Sequence, residues 1–183
     1  DLTALAARMA RLGEDYPGFI ALCRFKGDLV MNLIAGYRRA LDDAGFAGKA
    51  LHLRTFPPPW TAVSGIDFAR LAPFARSFIV KLYTMHWPMM VRMWVDVLAA
   101  ANPALADDPL LPAAVAGLFD ILDDAAPRPR TAWRYPEPEE AHPVGCAAQA
   151  RKLAAARAAA GDATVAAMAH GYGPVGDFAA RYQ

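Results

Sequence analysis

Apolar residues recur at three- and four-residue intervals from Thr3 to Leu12, with Arg8 and Arg11 opposite, which predicts an amphipathic helix stopped at Gly13. A turn over Glu14-Asp15-Tyr16-Pro17-Gly18 leads to the short apolar run Phe19–Cys23, read as a buried strand. From Asp28 to Ala44, Leu29, Val30, Leu33, Ile34, Tyr37 and Leu41 form one stripe, while Arg38, Arg39, Asp42 and Asp43 face water. That pattern predicts a helix ended by Gly45. Lys49–Thr55 reads as a strand that must leave its sheet at Pro57-Pro58-Pro59, because proline cannot donate to a ladder. Asp67 is placed to cap a short helix over Phe68–Phe74. Ser77–Thr84 is the clearest strand, rich in β-branched and aromatic residues. Pro88 opens a helix to about Ala101, and Pro112 opens another to about Leu122. A proline- and charge-rich loop, Asp123–Pro143, precedes a helix over Cys146–Ala160, a strand over Thr164–Ala169 and a final helix ending near Tyr182.

Strands separated by helices call for a parallel sheet with crossover connections. A closed barrel of eight strand–helix units takes about 250 residues, and this chain has 183. The expectation is therefore a single partial domain over 1–183, the later part of a TIM-type (β/α)8 barrel with strands about 4 to 7. A small open sheet is the other arrangement the order permits.

Composition narrows the classes. More than half of the residues are hydrophobic and a fifth are charged, which argues against a disordered chain. A formal charge of +1 gives no electrostatic reason to expect nucleic acid or an anionic membrane as partner. No apolar run approaches the roughly 20 residues that span a bilayer. Cys23 and Cys146 lie far apart without CxxC spacing, and read as buried, inert thiols in a reducing compartment, leaning cytoplasmic. The chain opens on Asp1, so any targeting segment is expected upstream.

In parallel α/β folds, ligands sit at the carboxyl ends of the strands. Here Arg54 ends one strand, with Phe56 and Trp60 beyond it. The next carries Lys81 and Tyr83 on one face, followed by His86 and Trp87, and the last leads into His170 and Tyr172. A merely structural turn favours Gly, Asn, Asp or Ser, so cations and imidazoles beside aromatics point to a pocket for a polar, ring-shaped ligand such as a sugar. His52, in mid-strand, reads as a satisfied core histidine, and Met89, Met90, Met93 and Trp94 read as helix packing. No cofactor fingerprint, Walker loop, GxSxG elbow or HExxH motif occurs, and the four histidines are scattered, so no metal is expected.

Val80-Lys81-Leu82-Tyr83-Thr84-Met85-His86-Trp87 resembles the sixth strand of glycoside-hydrolase-type barrels. In the chitinase-like families that strand carries a Met-x-Tyr-Asp type motif, whose first and third positions Lys81 and Tyr83 would match, while Thr84 replaces the Asp. More broadly the chain is similar to uncharacterised bacterial hypothetical glycosyl hydrolases. The resemblance implies a protein that hydrolyses or binds a carbohydrate, with Arg54, Trp60, Tyr83, His86, Trp87, His170 and Tyr172 contacting the ligand. Glycoside hydrolysis generally needs two carboxylates, and no strand end offers one, so the candidate acid is Glu137 in the loop or a carboxylate outside this chain. Two other readings stay open. One is a non-catalytic carbohydrate-binding or scaffold protein; the other is an aldolase or isomerase using Lys81 as a Schiff-base lysine.

Overall fold

The structure, a computed structural model, describes residues 11–82, 86–124 and 126–168. Tyr83, Thr84, Met85, His170, Tyr172, the final helix and all but the end of the first expected helix lie outside the described residues. Among the described residues the chain forms two compact units, residues 11–81 with Lys152–Met168 and, separately, Leu82–Arg151.

The first unit opens with α1 (Leu12–Asp15) and α2 (Pro17–Asp43). Pro17 sits at the start of α2, where its missing N–H is no loss and its fixed φ suits the first turn. Once begun, the helix gains a hydrogen bond per added residue, and nothing between Pro17 and Asp28 breaks it. The run Phe19–Cys23, expected as a strand, is therefore its first turns. The helix ends where Gly45 takes φ +81°. There the Gly45 N–H donates to Asp42 O at 3.0 Å and the Phe46 N–H to Leu41 O at 2.7 Å, a Schellman cap.

β1 (His52–Thr55) is followed by the turn at Pro57-Pro58-Pro59, then α3 (Trp60–Ser64) and α4 (Phe68–Leu71). As expected, Asp67 caps α4, its Oδ1 accepting from the Arg70 N–H at 3.1 Å. Residues of α3 and α4 pack on α2. At Gly65 (φ +78°) a Cβ would stand 2.6 Å from the Lys26 carbonyl oxygen, so only glycine permits this approach. The Lys26 ammonium donates to the Val63 carbonyl beside it. β2 (Ser77–Lys81) and β3 (Thr164–Met168) complete a three-stranded parallel sheet of order β1-β2-β3. Phe78 and Val80 are fully buried, Leu71 nearly so, and the Phe68 ring meets Phe78 edge-on with centroids 4.9 Å apart. Contacts of this kind form the unit's core.

The second unit contains α5 (His86–Ala101), α6 (Leu111–Leu118) and the start of α7 (Cys146–Ala159), whose later residues belong to the first unit. Trp87, Val91, Val95 and Ala99 recur at i, i+4 and are buried; the Trp87 ring lies 5.9 Å from Phe119. The other side of α5 is open. Met89, Met93 and Trp94, expected to pack, are 49%, 51% and 39% exposed.

The Asp123–Pro143 loop is not simply solvated: Trp133 and Pro136 are buried, and Asp96 of α5 accepts from both Arg92 and Arg130. Partial desolvation raises the Asp96 pKa, but the hydrogen bonds from Arg130 and Arg92 outweigh it and hold the carboxyl below its ordinary value.

The expected piece of a (β/α)8 barrel is not what forms. The described chain is a mixed α/β fold built on a three-strand parallel sheet. The stretch expected to add a further strand is absorbed into α2, and both outer strands have one unpaired edge among the described residues.

Candidate functional site

Alternate residues of a strand point to opposite faces, and residues paired across parallel strands share a face. The register Leu53↔Phe78↔Val165 and Thr55↔Val80↔Ala167 defines one face, whose centre is fully buried. The register His52↔Ser77↔Thr164 and Arg54↔Ile79↔Ala166 defines the other, continued by Lys81↔Met168. On this second face His52, Arg54, Thr164 and Ala166 are exposed, and Ile79, Lys81 and Met168 are half-buried. Parallel sheets are ordinarily covered on both sides. Among the described residues this one is only partly covered on one side, and that side carries Arg54 and Lys81.

The Arg54 side chain makes no hydrogen bond or ion pair with any described residue. Lys81 lies diagonally from it on the neighbouring strand, its ammonium 5.1 Å from the centroid of the Phe56 ring, which is itself 52% exposed. A ring face attracts the cation rather than the neutral amine that Schiff-base chemistry requires. His52 Nδ1 and Ser77 Oγ are 2.7 Å apart, a hydrogen bond in either imidazole tautomer. As a nucleophile–base pair it is poorly furnished, because Ser77 is only 9% exposed and no described carboxylate orients His52. It serves as a cross-strand contact. The open face has no Asp or Glu among its described residues.

The other candidates fall elsewhere. Trp60 is half-buried at the start of α3. His86 (exposed), Trp87 (4% exposed) and Glu137 (exposed) all belong to the second unit. Trp87 is packed, with no open ring face to offer. The Glu137 N–H donates to Glu140 Oε2 at 2.9 Å, and this bond, with the Arg134 guanidinium, lowers the Glu140 pKa from its ordinary value. Among the described residues no three His, Cys, Asp or Glu side chains converge to hold a metal ion.

Two structural features near the candidate face escaped sequence reasoning. His52 is exposed on the open face rather than held in a core, and the alternation His52, Arg54, Phe56 against Leu53, Thr55 is the signal that would have shown it. Lys152 is 1% exposed, its ammonium donating to the Pro58 carbonyl at 3.0 Å across the end of β1. Its helix is alanine-rich with charges all round, so nothing in the sequence marks it.

Comparison with protein-family models, with curated proteins and with solved structures found no match to this chain. No helix among the described residues is long and apolar enough to cross a membrane.

Proposed function

We propose that the open sheet face binds an acidic carbohydrate without hydrolysing it. The observation that carries this reading is the placement of two cations, Arg54 and Lys81, that have no carboxylate partner among the described residues, on one partly exposed face beside the Phe56 ring. Arginine and lysine suit the carboxylate of a uronic acid, the ring supplies apolar surface for the pyranose, and neighbouring strands carry the two cations, with Phe56 just past the end of β1. The binding reading is preferred to the hydrolase because the face lacks described carboxylates and Glu137 belongs to the other unit.

Calorimetric titration with an oligogalacturonate tests it. Saturable binding is expected, weakening with salt, with neutral oligosaccharides binding less tightly. Arg54→Ala and Lys81→Ala should each lower affinity about five-fold, corresponding to about 1 kcal/mol for an exposed charge contact. Absence of saturable binding, or affinity unchanged in both variants, would overturn the reading. Release of reducing ends that Glu137→Gln abolishes would favour the hydrolase instead.

A further inference from the structure

We propose that the exposed apolar face of α2 is an interface between two copies of this chain, paired antiparallel along that helix. α2 is apolar around much of its circumference. Its half-buried arc, which includes Cys23, Val30 and Ile34, adjoins a second arc that nothing described covers. That second arc holds Phe19, Leu22, Phe25, Leu29, Leu33 and Tyr37, each 40–58% exposed and spaced by three or four residues. The result is a straight stripe about 27 Å long. A fully buried aromatic covers about 150–250 Å², so each of these residues leaves roughly 100 Å² open, and the stripe about 600 Å². Monomers rarely expose a contiguous apolar patch beyond a few hundred Å². Two such stripes together bury about 1,200 Å² before any polar rim, the lower bound of a specific interface.

The stripe is also complementary to itself. A two-fold axis at the midpoint of residues 27 and 28 sets Leu22 against the partner's Leu33, and Phe19 against the partner's Gly36. Glycine weakens a helix interior relative to alanine, yet a Cβ at Gly18 or Gly36 would meet nothing within 4 Å in the single chain. Across the two-fold, these gaps receive the rings of Phe19 and Tyr37. The charges favour the same direction. Asp15, just before the helix, comes near the partner's Arg39, helix dipoles oppose, Asp42 is paired with Arg38 at 2.7 Å, and the Lys26 ammonium beside the axis is turned to the Val63 carbonyl.

Sedimentation equilibrium of the full chain across micromolar concentrations tests the proposal. A reversible monomer–dimer equilibrium is expected. Leu29→Lys, at an exposed position that leaves far-UV helicity unchanged, should weaken the dimer at least ~10-fold. Asp15→Lys should weaken it less, and adding Arg39→Glu should restore it. A monomer at all concentrations would overturn the proposal and leave the face to a different protein. A dimer indifferent to Leu29→Lys would overturn it too, and failure of Arg39→Glu to restore Asp15→Lys would overturn the antiparallel pairing. Neither Arg54 nor Lys81 enters this interface, so sugar binding and dimerisation can fail independently.

Discussion

Removing the Asp123 carboxylate tests how the second unit holds the start of α7. This side chain lies far from the helix in sequence, yet its two oxygens accept from two first-turn amides, Ala147 N–H at 3.0 Å and Ala148 N–H at 2.6 Å. It therefore acts as an N-cap supplied by another segment. Loss of a capping side chain costs about 1 kcal/mol, and loss of a negative charge at a helix N-terminus about 0.3–1 kcal/mol more. The Arg151 guanidinium at 3.9 Å is half exposed and adds little. Asp123→Ala should therefore cost about 1.5 kcal/mol, and Asp123→Asn, which keeps an acceptor, about half of that. Urea unfolding followed by tryptophan fluorescence is the assay, since Trp87, Trp94 and Trp133 all belong to this unit. Gly145 provides an internal control: a Cβ there would stand 2.1 Å from the Asp123 carboxylate. Gly145→Ala must therefore displace the carboxylate, and the double variant should lose scarcely more than either single one. Wild-type stability in Asp123→Ala, or full additivity with Gly145→Ala, would refute the capping argument.

Three further outcomes follow from the same geometry. Phe78, fully buried against Phe68, should lose about 3–5 kcal/mol on truncation to alanine, read by urea unfolding of the first unit; a loss under about 1 kcal/mol would mean that no packed core exists there. The Asp96 pKa is lower in the folded chain than the ordinary 3.8, so its contribution is complete at neutral pH and disappears as pH falls from there through the folded value. Because this carboxylate is 41% exposed, the contribution should not exceed about 1 kcal/mol, and Asp96→Asn should flatten that acid limb of the stability–pH curve. Lys152→Ala removes a buried alkyl stem and a donor to the Pro58 carbonyl, and should cost about 2–4 kcal/mol in thermal or urea unfolding.

The candidate site was partly legible in the sequence. Arg54 and Lys81 stand out because cations within apolar strands must reach solvent or a partner. Phe56 and His52 are legible through alternation, once one face is taken to be open. Lys152 is not, because its burial comes from a segment nearly a hundred residues away. The packed Trp87 and the open Met89–Met93 side of α5 were assigned the other way round, since periodicity shows that a helix has an apolar stripe but not which part of it is covered.

Local chemistry in the chain determined most of the elements. Pro17 and Gly45 bound a helix, Asp67 caps one, and the β-branched run from Ser77 makes a strand, because capping, fixed φ and side-chain period act over a few residues. What only the tertiary structure decided was how many strands assemble and which faces they leave bare. Phe19–Cys23 suits either state on its own, and it became helix because continuous hydrogen bonding from Pro17 has no competitor in a neighbouring strand. The same long-range choice left one side of the sheet and one side of α2 open, and those two surfaces carry the proposed sugar site and dimer interface.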